Sequence, residues 1–182
     1  MKKIHLATGN DSLRPSIGYI KITKEFSYAT DCHIAVKIPT AEILGKLNVE
    51  TEFYINGKEW AKFKFYNAEN FGMYENQLTA YDKKGNRLGI IDVLPQENFQ
   101  TKTGYKYPDV NGILPNESNK KAIENIGINA ELYSKVTQAM GAESCKMTFF
   151  AENRGVMLKP VPAQYSENNS IGIIMPIMIT NY

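Results

Sequence analysis

Ser27-Tyr-Ala-Thr-Asp-Cys-His-Ile-Ala-Val36 is the stretch on which the reading of this chain turns. Two β-rich runs meet across a polar step at Asp31 and Cys32: Phe26–Thr30 on one side and His33–Ile38 on the other, the second halted by Pro39. Outward toward the N-terminus, Ile17-Gly-Tyr-Ile-Lys-Ile22 is a third such run, separated from Phe26 by the polar Lys24-Glu25. The three together predict an antiparallel meander.

Farther along, Glu52-Phe-Tyr-Ile55 reads as a strand, and Asn56 is placed to cap a short helix carrying Trp60, Phe63 and Phe65. The alternation of Lys58 to Tyr66 fits a strand nearly as well. Phe71–Tyr74, Gln77–Tyr81 and Arg87–Leu94 follow as strands, joined by Glu75-Asn76 and by the hairpin signal Lys83-Lys-Gly-Asn86. Residues 95–119, rich in Pro, Asn and Gly, read as a connection between two halves, one long enough to carry function or to contain short strands.

Asn129 is a candidate N-cap for a helix over Ala130–Met140. Leu132, Val136, Ala139 and Met140 fall on one face of it, and Gly141 supplies a left-handed exit. Asn125–Asn129 before it is expected to be a strand. After it come Ser144–Phe150, Gly155–Lys159 across an Asn153-Arg-Gly turn, and Ile171–Ile179, whose apolar run suits a strand covered on both faces or one bordering a groove. The order strand, helix, strands thus occurs near 52–94 and again after 125, a repeat of elements without a repeat of residues.

Composition narrows the function classes. The chain has 182 residues, 21 Lys and Arg against 19 Asp and Glu, two cysteines and two histidines. A chain of that length can bury about 70% of the surface its unfolded form exposes, so a core can hold it without disulfides or metal. Cys32 and Cys145 are too few for a disulfide framework or a four-ligand zinc site, which suits a reducing cytoplasm. No run reaches the ~20 apolar residues of a membrane span.

Nucleotide-binding, metalloprotease and serine-hydrolase motifs are absent from the sequence. A small enzyme built on Cys145 and His33 is the weakest of the readings, and the expectation is a protein with no catalytic, metal or cofactor site. Lys58, Lys62 and Lys64, with Lys120, Lys121 and Lys135, are candidates for a DNA-facing surface that tracks phosphates without sequence preference. A solvated face is the simpler account of them.

Five segments carry a resemblance. Ser27–Val36 resembles the Ala-Thr-Asp-Gly-His-Arg-Leu-Ala segment of the bacterial β sliding clamp, the processivity subunit of the replicative DNA polymerase. Tyr107-Pro-Asp-Val-Asn-Gly-Ile-Leu-Pro115 is similar to the link between that family's middle and last domains, and Ile173-Ile-Met-Pro-Ile-Met-Ile179 to its terminal Val-Met-Pro-Met-Arg-Leu. Leu13-Arg-Pro-Ser-Ile-Gly18 and Ile126-Gly-Ile-Asn-Ala-Glu-Leu-Tyr133 resemble two further segments. All five keep the family's order.

The resemblance implies an α+β protein with the DNA-clamp fold, built from strand–helix–strands half-domains with antiparallel sheets. Residues 1–115 would correspond to the middle clamp domain, with its first helix shortened or missing before Leu13, and 116–182 to the C-terminal half of the last. It also implies a hydrophobic pocket for short linear peptides of replication or repair proteins, made by Thr30, Cys32, His33, Ile34 and Ala35, by Pro108, Gly112 and Ile113, and by Ile173, Met175, Pro176 and Ile177. Affinities in such sites run near micromolar, about 8 kcal/mol.

Cys32 stands where the family has Gly, and Ile34, Gly112 and Met178 where it has Arg. The expected pocket is therefore more apolar and poorer at holding an acidic or polar peptide edge. The implied roles are a cytoplasmic replication accessory that encircles duplex DNA as a homo-oligomer, or a peptide-binding adaptor or decoy from a phage or mobile element that does not.

Overall fold

The computed structural model describes residues 2–122, 125–150, 155–161 and 169–177. Its core is an eight-stranded antiparallel sheet, with a three-stranded antiparallel sheet beside it. The strands are β1 (Tyr19–Ile22), β2 (Phe26–Thr30), β3 (Ile34–Pro39), β4 (Phe53–Asn56), β5 (Asn70–Tyr74), β6 (Gln77–Tyr81), β7 (Arg87–Asp92), β8 (Leu94–Pro95), β9 (Cys145–Thr148), β10 (Val156–Pro160) and β11 (Ile171–Ile174). The helices are α1 (Ala41–Leu44), α2 (Gly57–Lys62), α3 (Gln96–Thr103) and α4 (Ala130–Met140). The large sheet runs β8-β4-β1-β2-β3-β11-β10-β9, and the small one β5-β6-β7.

The predicted meander forms as β1, β2 and β3, although β1 begins only at Tyr19 because Pro15–Gly18 makes a 3-10 turn. Asn56 does cap α2, its side-chain oxygen accepting from the amides of Lys58 and Glu59. Asn129 caps α4 in the same way through Glu131 and Leu132, and Gly141 closes that helix in the left-handed conformation at φ 64°. In place of a first helix before Leu13 there is one 3-10 turn, Ile4–Ala7. It packs against both α4 and α2.

Three expectations are corrected. Residues 95–119 are not all connection, since α3 lies there. It is nearly all polar, burying only Phe99 and Thr103, so no apolar stripe announces it. Asn125–Asn129 is not a strand, for it contributes one isolated bridge, Gly127 to Ile177. The apolar run from Ile171 stops pairing as a strand at Ile174, and Met178 and Ile179 lie outside the described residues. The turn expected at Asn153-Arg-Gly also falls largely outside them.

The two faces of the large sheet are set by strand periodicity. Ile34, Val36 and Ile38 of β3 and Ile174 of β11 join the main core with Val136, Ala139 and Met140 of α4. Ala35, one residue out of phase, packs on the opposite face with Tyr28 and Val110. β3 pairs with β11 (Ala35 opposite Ile173, Ile34 opposite Ile174), so one continuous sheet joins residues from both ends of the chain. Gly172 faces the helix: a Cβ built there would lie 2.3 Å from Val136 Cγ1 and 3.1 Å from Met140 Cε. Only hydrogen at that position lets α4 sit so close to β11.

Candidate peptide-binding pocket

On the face of the sheet away from α4, the segment after α3 crosses the strands and is pinned there. The Tyr107 hydroxyl reaches the carbonyls of Tyr28 (3.0 Å) and Tyr19 (3.2 Å). Its ring packs with Phe99 and Tyr54, which themselves stack at 3.7 Å between centroids. Lys37 Nζ donates to Asn111 Oδ1 at 3.1 Å, and Asn111 Nδ2 donates to the Tyr28 hydroxyl at 3.2 Å. These contacts hold 108–115 beside β3. Asp109 Oδ1 accepts from the Gly112 amide at 3.0 Å, which tightens the bend that presents Ile113.

The β2–β3 turn is ordered by its own side chains. Thr30 Oγ1 donates to the Ile34 carbonyl at 2.7 Å and accepts from the Cys32 amide at 3.1 Å. Asp31 Oδ1 accepts from the amides of both His33 and Ile34 at 2.8 Å. This geometry forces Cys32 to φ 75°, the left-handed region in which a side chain crowds its own backbone. A glycine would occupy it without strain. The Cys32 thiol is exposed, and Arg14 Nη1 lies 3.2 Å from it while Arg14 Nε is held by Asp11.

Between turn, link and β11 lies a cavity of about 1020 Å³. Ten of the twelve pocket residues read from the sequence line it: Thr30, Cys32, His33, Ile34, Ala35, Pro108, Gly112, Ile113, Ile173 and Met175. Met175 is anchored by its amide, which donates to the His33 carbonyl at 2.9 Å. Pro176 and Ile177 are not among the lining residues, because the chain turns away after Met175 and the Ile177 amide bonds to the Gly127 carbonyl at 2.8 Å.

Sequence reasoning missed the far wall: Leu114, Pro115, Asn116, Ser118, Asn119, Phe150 and Gly155, with Asp109 beside the link. A Cβ at Gly155 would stand 2.6 Å from Ile173 Cγ2 and 3.6 Å from Met175 Sδ, so this glycine leaves room for the apolar floor. Its place against Ile173 follows from the register Val156 to Ile174, which only the folded sheet supplies.

The six lysines do not form one surface. Lys58 and Lys62 lie exposed on α2, and Lys64 follows in a left-handed residue at φ 53°. Lys135 is on α4, paired with Glu131 at 2.8 Å. Lys120 and Lys121, by contrast, line the cavity. Cys145 and His33 are not brought together either: Cys145 is on the edge strand β9, three strands or about 14 Å across the sheet from β3. Its side chain packs toward the main core, where burial pushes the thiol pKa up. Among the described residues no helix is long and apolar enough to cross a membrane.

No family model matches the sequence, and no curated protein does. Solved structures do match. The β clamp of Helicobacter pylori in complex with carprofen superposes with a TM-score of 0.64 at 11% identity, over 97% of this chain and 63% of that one. DNA polymerase III subunit β of Borrelia burgdorferi, in complex with a natural product, gives 0.61 at 12% identity over 98% and 59%. The β subunit from the DNA polymerase of Streptococcus pyogenes gives 0.58 at 12% over 97% and 63%. The chain thus spans about three fifths of the clamps it matches, and its α+β architecture of antiparallel sheets has the fold of the bacterial DNA polymerase III β sliding clamps.

Proposed function

We propose that this protein is a clamp-type accessory of DNA replication that holds short linear peptides of replication or repair proteins in the cavity between β3, β11 and the 108–121 segment. One observation carries the reading: three stretches far apart in sequence, 30–35, 108–121 and 173–175, converge on a single concave site. Its floor of Ala35, Ile173 and the adaptable Met175 suits apolar anchors of an extended peptide. The polar groups along the turn and link would set the peptide's register. Binding near micromolar is expected, about 8 kcal/mol.

The test is a titration of a fluorescent clamp-binding peptide against wild type and Met175→Glu, with circular dichroism to confirm that the variant is folded. Met175 is 43% exposed, so the substitution should spare the fold while placing a charge on the apolar floor. Near-micromolar binding to wild type and loss of at least about tenfold in the variant is expected. Equal binding, or none to either, removes the pocket.

A second reading, an adaptor that does not encircle DNA, draws support from the lysines. Lys135 is engaged by Glu131, and Lys120 and Lys121 belong to the cavity rather than to the helix layer. Light scattering separates the two: a closed oligomer supports the ring, and a monomer at working concentration supports the adaptor.

A further inference from the structure

Asn-Gly occurs twice in the chain, at Asn56-Gly57 and at Asn111-Gly112. An asparagine before glycine is open to attack on its side-chain carbonyl by the following amide nitrogen, because glycine has no side chain to hinder the approach. The two sites have opposite surroundings. We infer that Asn111-Gly112 is a self-modification site, at which the protein's own groups close a succinimide and convert Asn111 to aspartate and isoaspartate, while Asn56 is protected.

The groups the reaction needs surround Asn111. Asp109 Oδ1 accepts from the Gly112 N–H at 3.0 Å, within reach for a general base acting on the attacking nitrogen. Lys37 Nζ donates at 3.1 Å to Asn111 Oδ1, the oxygen on which negative charge develops. That ammonium is itself held over the Phe26 ring, 4.2 Å from its centroid. The buried Tyr28 fixes the other end of the carboxamide, its hydroxyl accepting from Nδ2 at 3.2 Å. Glycine is also what lets the base sit there, since a Cβ at 112 would stand 2.6 Å from Asp109 Oδ2.

The step balances with water as its one co-reactant. Asp109 takes the proton of the Gly112 amide as that nitrogen bonds to Asn111 Cγ, and the carbonyl electron pair moves onto Oδ1 beside Lys37. The Cγ–Nδ2 bond then breaks, and Nδ2 leaves as ammonia with the proton that Asp109 took up. The reacting atoms are joined through the chain, so closure is intramolecular. Asn111 and Gly112 are exposed, and water opens the imide at either carbonyl to give aspartate or isoaspartate. Both products lose the Nδ2 donation to Tyr28, and isoaspartate lengthens the main chain by one methylene at the bend before Ile113. Asp109 and Gly112 line the cavity, so its wall changes shape with the modification.

Asn56 is built the other way. Its Oδ1 accepts from the Lys58 and Glu59 amides as the cap of α2, its backbone pairs with Tyr19 in the sheet, and Gly57 is buried. Cyclisation there would break the cap and bring water into a packed site.

The test incubates the full chain at neutral pH, native and in concentrated urea. Both asparagines are followed by proteolysis in acid and tandem mass spectrometry, and isoaspartate is counted by methyl transfer with an isoaspartyl methyltransferase. Asn111 should be lost at least about tenfold faster in the native protein than in urea, and Asn56 more slowly than in urea. Asp109→Ser and Lys37→Met, each confirmed folded by circular dichroism, should lower native Asn111 loss to the rate in urea and leave Asn56 unchanged. Native Asn111 loss no faster than in urea overturns the inference without recourse to any variant. Loss that neither substitution slows overturns it as well, since the Asn-Gly sequence alone would then account for it.

Discussion

Gly172→Ala inserts one methyl group between β11 and α4, and its cost can be worked from the geometry. The new Cβ would fall 2.3 Å from Val136 Cγ1 and 3.1 Å from Met140 Cε. Both partners are wholly buried, and Val136 is β-branched on a helix, where its χ1 has little freedom. The overlap must be relieved by moving α4 or bending β11, and such overpacking costs about 1–3 kcal/mol. Against this, replacing glycine restricts the unfolded chain and returns about 0.4–1 kcal/mol. The net expectation is a loss of about 1–2 kcal/mol.

Urea unfolding followed by circular dichroism reads this as a midpoint lowered by about 0.5–1 M for a slope near 2 kcal/mol per M. The decisive measurement is the double variant. Val136→Ala removes the methyl that collides and by itself costs about 2 kcal/mol through the space it leaves. If the steric account holds, Gly172→Ala/Val136→Ala is more stable than the sum of the single changes by about 1–2 kcal/mol. Undiminished stability of Gly172→Ala, or strict additivity in the double variant, would refute the reasoning.

Two further predictions follow from local features. Cys32 at φ 75° carries left-handed strain that alanine would keep and glycine would release, so Cys32→Gly should be more stable than Cys32→Ala by about 1 kcal/mol in chemical denaturation, and equal stabilities would contradict it. His5 is half-buried against Tyr66, with its Nδ1 unpartnered among the described residues, and burial followed by the nearby Lys3 charge pulls its pKa down to about 4. The unfolded chain, at about 6.5, takes up that proton more readily, so this contribution is complete above about pH 6.5 and is lost as pH falls toward 4. For a wholly buried ring the loss would be about 3 kcal/mol; half exposed, it should be about 1 kcal/mol, visible as a weaker acid sensitivity in His5→Phe, and identical pH profiles would exclude it.

The parts of the fold that were legible are those whose local chemistry agrees with their tertiary role. Asn56 and Asn129 cap helices because their short amides can reach amides two and three residues on, a local fact that the sequence displays. The β2–β3 pair shows in its β-branched residues and in the polar step between the strands. α3 was hidden because it buries little more than Phe99, so its helix is decided by packing onto Tyr54 and Tyr19 and not by periodicity. Ile126 and Ile128 alternate like a strand, yet among the described residues Gly127 alone makes a bridge, to Ile177.

The cavity was legible as far as the resembling segments reach and no farther. Its Ala35 and Ile173 belong to strands that meet only when the two ends of the chain are sewn together, and residue type alone does not reveal that pairing. The place of Lys120 and Lys121 beside the cavity was hidden for the same reason. As a sequence they are a charge pair ahead of a helix, and the path of the link past β9 turns them into a wall of the site.

The β3–β11 seam also bears on when the site comes into existence. A ladder between residues 34–37 and 171–174 closes about three quarters of the chain into one loop, so its entropy is expected to be met late, after the meander and α4 have formed. The cavity is then absent from every partly folded form that lacks this seam. A peptide that binds it acts as a clasp on the last ladder, and it should slow local opening of β11 and raise amide-exchange protection there in proportion to its occupancy.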